Sequence, residues 1–133
     1  MRSRWTFPLL VLATGAIGQV RINEACSKNV VGTADGDDFP DWIELHNPGS
    51  DAIDLAGLFL SDDPTLPLKW ALPVEQLAAG GYLLLFEGND NDDGHHFDFK
   101  LSQEGETIYL VNSGAVIMDS LPMPFLRADH SFG

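Results

Sequence analysis

Asp35, Asp37, Asp38 and Asp41 put four carboxylates within seven residues. Oxygen donors at that density suit a hard cation, since Ca²⁺ takes roughly six to eight oxygen ligands. The same composition also describes a solvated turn, because aspartate bonds its own backbone two residues on. A second set, Asn89-Asp90-Asn91-Asp92-Asp93-Gly94, alternates oxygen donors and ends in glycine, like the first half of an EF-hand loop. It departs from that pattern at Asn89, where aspartate is usual, and at Lys100, where a bidentate glutamate closes the cage. No helical periodicity flanks it. Asp35, Asp37, Asp38, Asp41, Asp90, Asp92 and Asp93 are therefore the candidate metal ligands, as two loops for calcium, and no other cofactor is expected.

His95 and His96 precede Asp98. Neighbours on a strand face opposite ways, so the two imidazoles cannot easily share one metal. His96 and Asp98 can share a face while Phe97 and Phe99 take the other. Two ligands fall short of a zinc site unless His46 or His130 joins them. The expectation is a polar outer face over an inner Phe97/Phe99 face. Ser61, Ser102 and Ser113 sit in turn contexts without a nucleophile elbow. Cys26 has no evident base, and carboxylates are too numerous for any pair to be informative. No catalytic residue is assigned.

The elements that must position these loops read as strands. Val20 to Ala25 is the first, followed by a long loop rich in glycine and aspartate, Cys26 to Pro40. Trp42-Ile43-Glu44-Leu45 alternates, and Asn47-Pro48-Gly49 stops it. Asp54-Leu55-Ala56-Gly57 turns the chain before Leu58 to Ser61, and Lys69 to Leu72 is a short fourth strand. Pro73 to Gly80 is a connector with one helical turn at Val74 to Leu77. Gly81 to Phe86 is apolar enough for burial on both faces. Phe97 to Leu101 is a short extended piece. Thr107 to Val111 and Val116 to Ser120 flank Asn112-Ser113-Gly114, with glycine expected at the φ > 0 position. Ile43, Leu45, Leu58, Leu60, Leu83, Leu85, Ile108 and Leu110 are the expected core. Short strands, frequent turns and no sustained 3.6-residue period predict an all-β, immunoglobulin-like sandwich, mainly antiparallel.

The 133 residues suffice for one such domain. Residues 1–18 stand apart: Arg2 and Arg4 precede an apolar run, Phe7 to Ala13, and Ala16-Ile17-Gly18 supplies the small residues that signal peptidase reads. Trp5 to Ile17 is too short to cross a bilayer, and no transmembrane segment is expected. The chain thus divides into a signal peptide, 1–18, and one domain, 19–133, that is secreted or held at the cell surface. Removing Arg2 and Arg4 from the 7 basic residues leaves 5 against 20 acidic, a net of −15. Such a surface repels phosphate backbones, so nucleic-acid binding is excluded. Cys26 is the single cysteine, so no intrachain disulfide forms. It lacks a lipobox, and is read as a small half-buried residue ending the first strand.

DWIELHNPG (Asp41 to Gly49) followed by DLAGLFLSDDP (Asp54 to Pro64) resembles the bacterial form of the lamin tail domain, an immunoglobulin-like sandwich. The resemblance extends to RINEA (Arg21 to Ala25), to Lys69, Trp70, Leu72 and Pro73, and to AAGGYLLLFE (Ala78 to Glu87). It continues through FKLSQEGETIYLVNSGAVIMDS (Phe99 to Ser120) and DHSFG (Asp129 to Gly133). Scaffold residues define that family, which has no shared catalytic set, so fold transfers far better than activity. Animal lamin tails are discussed as DNA or chromatin binders. Here Arg21, Lys28, Lys69, Lys100 and Arg127 are scattered, and that property is not carried over. Bacterial relatives accompany surface enzymes such as nucleases, phosphatases and spore-coat-type kinases. The resemblance implies a non-catalytic binding or spacer module that tethers or positions a neighbouring domain, with a protein or cell-surface component as partner. It also implies a piece of a longer polypeptide, since members continue beyond the point reached at Gly133. The alternatives are a calcium-dependent adhesion module and a small metal-dependent hydrolase.

Overall fold

The structure is a computed structural model and describes residues 19–88 and 94–133. Ten strands follow in order: β1 (Arg21–Cys26), β2 (Trp42–His46), β3 (Ile53–Asp54), β4 (Leu58–Ser61), β5 (Trp70–Ala71), β6 (Gln76–Leu77), β7 (Tyr82–Glu87), β8 (His96–Phe97), β9 (Glu106–Asn112) and β10 (Ile117–Met123). Two four-stranded sheets form, β1-β2-β7-β8 and β10-β9-β4-β5, with β3 and β6 as a separate ribbon. Every pairing is antiparallel except β7 with β8. Among the described residues none is helical, and no helix is long and apolar enough to cross a membrane.

Alternation decides which face each strand buries. In β2, Ile43 and Leu45 are fully buried while Trp42, Glu44 and His46 are not. Their register partners in β7 are Leu85 and Leu83. Leu60, Ile108 and Leu110 of the opposite sheet join Ile43, Leu45 and Leu85 in one apolar cluster; Leu58 and Leu83 are partly buried and pack against it. In β7 only Leu85 is buried outright, so burial on both faces holds for neither Leu84 nor Phe86. Phe97 and Phe99 do turn inward, with ring centroids 5.0 Å apart.

Two local expectations are corrected. Val74 to Leu77 makes no helical turn: Gln76–Leu77 pairs with Ile53–Asp54, and Leu55 N donates to Glu75 O at 2.9 Å. Burial of Leu77 explains the choice, since an extended backbone turns that side chain into the core while β3 satisfies its peptide groups. In the β9–β10 hairpin the left-handed residue is Ala115, at φ 62°, and not Gly114. Asn112 sets this up: its Oδ1 accepts from Gly114 N at 2.9 Å and Val116 N at 3.1 Å, and its carbonyl accepts from Ala115 N. The turn is closed by an asparagine side chain, and the positive φ falls one residue later.

The sandwich margins are closed by polar contacts. Ile22 N on edge strand β1 donates to Asp119 Oδ2 on edge strand β10 at 2.8 Å. Further along β1, Ala25 and Phe132 exchange backbone hydrogen bonds of 3.0 and 2.9 Å. Pro122 removes one donor from β10. Both long edges are thereby poor templates for another strand.

Candidate functional site

The loop from Ser27 to Asp41 overhangs the ends of β7 and β8. Asn29, buried, organises it: Nδ2 donates to the Thr33 and Pro40 carbonyls, and Oδ1 accepts from Thr33 N at 3.0 Å. Asp129 fixes it from outside, with Oδ1 accepting from the N–H groups of Val30, Val31 and Gly32 at 2.6, 2.9 and 3.0 Å. Those bonds, Val30 and Val31 foremost, lower the Asp129 pKa. Farther on, Asp35 and Asp38 exchange backbone hydrogen bonds of 2.8 and 3.0 Å around Gly36, whose φ of +63° makes the tight reversal possible.

Between this loop and the ends of β7 and β8 lies a cleft of about 700 Å³, lined by residues 35 to 40 with Glu87, Gly88 and His96. Asp35 Oδ2 lies 2.7 Å from His96 Nε2, joining the loop to β8. Asp37 and Asp38 are exposed. Asp41 is turned elsewhere: its Oδ2 accepts from Leu101 N at 3.0 Å. Burial raises the Asp41 pKa, the Leu101 bond opposes this, and the Glu87 carboxylate adds to the rise. Glu87 Oε1 lies 3.3 Å from Lys100 Nζ.

Four sequence-predicted ligands thus serve different ends: Asp35 meets His96, Asp41 meets Leu101, and only Asp37 and Asp38 face solvent. Among the described residues no three His, Cys, Asp or Glu side chains group so as to hold a metal ion. Asp90, Asp92 and Asp93, the second expected calcium loop, lie outside the described residues, as do residues 1–18, the expected signal peptide.

The histidines do not converge. His95 Nε2 lies 2.6 Å from Glu75 Oε1, His46 stacks on Tyr82 with centroids 4.2 Å apart, and His130 Nδ1 lies 3.0 Å from the Ala128 carbonyl. His96 takes Asp35 as a partner, and Asp98 is exposed.

Chemically, an Asp–His pair orients an imidazole, but acyl transfer also needs a hydroxyl or thiol beside it. Among the described residues the cleft lining contains no Ser, Thr or Cys. Cys26 is buried, and burial raises its thiol pKa, followed by the nearby Asp41 and Asp129 charges, against one lowering backbone bond at Lys28. It is a protonated packing residue rather than a nucleophile.

Sequence reading missed Asn29, Glu87 and Asp129 as builders of this end. Asp129 did stand in a motif, DHSFG, but a lone aspartate near a chain end says nothing about which amides it will meet.

Two antiparallel-rich sheets around one core, with polar loops tied to each other across one end, define an immunoglobulin-like module. The family model described as Lamin Tail Domain matches residues 13–123, and the chain belongs to that family. No curated protein gives a significant match.

Proposed function

We propose that this domain is a non-catalytic binding or spacer module, exported to the cell surface or beyond, that tethers or positions a neighbouring domain. One observation carries the reading. Among the described residues, Asp35 joins its loop to His96 on β8, Asp41 is turned to Leu101 N and Glu87 lies beside Lys100 Nζ, so the titratable side chains at this end do not converge on a place where a substrate atom would react. The family's scaffold-defined character supports the same view, and the acidic surface argues for a protein or cell-surface component rather than nucleic acid.

A fusion to a reporter hydrolase tests it. The fusion should be retained on the surface of the source cells, while the reporter alone stays in the medium. Equal distribution of the two would sink the tethering reading. Turnover of chromogenic ester or phosphate substrates by the unfused chain, lost on His96→Ala, would sink the non-catalytic one. Calcium-dependent adhesion is separated by thermal melts with millimolar calcium and with chelator: a stabilised chain whose retention requires calcium would replace the proposal.

A further inference from the structure

The outer face of the β1-β2-β7 sheet is neither core nor cleft. Alternation turns Trp42, Glu44 and His46 of β2 outward, paired with Phe86, Leu84 and Tyr82 of β7. Tyr82 is 58% exposed; Trp42, Leu84 and Phe86 are half-buried and stand outside the core cluster. This is an apolar and aromatic sheet face in a chain of net charge −13.

A β-bulge sets a charge feature into that face. The β1–β2 register shifts between Ile22 and Glu24, and Glu24 becomes the direct partner of Glu44. Like charges opposite one another destabilise a sheet. Their hydrogen-bond partners among the described residues are neutral: Asn23 Nδ2 donates to Glu44 Oε1 at 2.8 Å, and Ser131 Oγ donates to Glu24 Oε2. Among the described residues neither carboxylate is in an ion pair. Among the described residues of these three strands the one cation is Arg21, at the corner of the face opposite His46.

We propose that this face docks a partner protein through arginine or lysine side chains, with the Glu24/Glu44 pair receiving the cation and the flanking rings receiving its stem. Charge complementarity carries the choice. A guanidinium relieves the repulsion between two facing carboxylates, and aromatic side chains beside it add cation–π attraction. The chain's acidity steers basic partners and opposes a second copy of itself. The proposal rests on the binding reading above and names its surface and the chemistry of its partner.

The probe is a peptide of alternating arginine and threonine, titrated into the ¹⁵N-labelled chain. Amide shifts should centre on Glu24, Glu44, Tyr82 and Leu84. The double variant Glu24→Gln/Glu44→Gln should weaken binding roughly fivefold to tenfold, as expected for two half-buried charge contacts. Asp37→Asn/Asp38→Asn, an equal charge change elsewhere, should weaken it by less than about twofold. Tyr82→Ala should weaken it as well, and the amide spectrum reports whether each variant stays folded. Shifts centred on residues 35–41, or equal weakening by the two double variants, would overturn the proposal. So would a neutral oligosaccharide that shifts the same amides while the peptide does not. A reporter fusion retained on cells by a chain that ignores the peptide would remove this inference and leave the binding reading standing.

Discussion

Asn47 reaches the Leu77 carbonyl through its Nδ2 at 3.0 Å, from the end of β2 to the end of β6. The same amide donates to the carbonyls of Asp51 at 2.8 Å and Ala78 at 3.2 Å, and Oδ1 accepts from Gly49 N at 3.0 Å. Asn47 is fully buried. One side chain therefore ties together the backbone of two loops, and its bond to the Leu77 carbonyl is buried. Asn47→Ala should cost about 2–4 kcal/mol, because it leaves the buried Leu77 carbonyl without this donor as well as removing three further bonds. A urea midpoint unchanged from wild type would contradict this.

Asp129 gives the fold an acid sensitivity. Its pKa lies below the ordinary 3.8 because the folded chain offers it three N–H groups. A depressed folded pKa means stability that is present above the unfolded value and lost as pH falls through the folded one. Asp129→Asn should therefore melt lower than wild type at pH 6, and the gap should close below about pH 4. Hydrogen exchange at Val30, Val31 and Gly32 should quicken in the variant.

Asp41 works in the opposite sense. Burial raises its pKa above 3.8, so the protonated carboxyl favours the fold and that contribution is lost as pH rises through the folded value. At neutral pH the ionised group is a cost. Asp41→Asn keeps an acceptor for Leu101 N and removes the charge beside Glu87, so its melting temperature should exceed wild type at pH 7. The advantage should shrink as pH falls toward 4.

Ala115→Gly should stabilise the β9–β10 hairpin. A non-glycine residue at φ 62° crowds its Cβ against the following carbonyl. Relief of that crowding, less the added freedom of glycine in the unfolded chain, should leave a gain of about 0.5–1 kcal/mol. A lower melting temperature would show that the Ala115 methyl, which lines a groove with Leu66 and Pro67, contributes more than its strain costs.

Much of the scaffold was legible in advance because a strand's side chains have a period of two. Trp42 to His46 announces its buried face, and Thr107 to Val111 does the same, since a slip of one residue would expose Ile108 and Leu110. The two-residue strands were not legible in this way. Ile53–Asp54 and Gln76–Leu77 are too short to show a period, and each is a strand only because the other pairs with it. The candidate site was half legible. Asp35, Asp37 and Asp38 share one loop, which their spacing shows, while the cleft that they line follows from where β7 and β8 end. The turning of Asp41 toward Leu101 and the pairing of Asp35 with His96 span sixty positions or more, and no local pattern encodes such contacts.

The sequence by itself determined an all-β chain, strongly acidic, with one cysteine and inward-facing Ile43, Leu45, Ile108 and Leu110, because composition and alternation are local properties. Tertiary structure alone decided which carboxylates face solvent and which join distant loops. It also set Glu24 opposite Glu44, through a bulge whose position depends on the register of two strands brought together by the core.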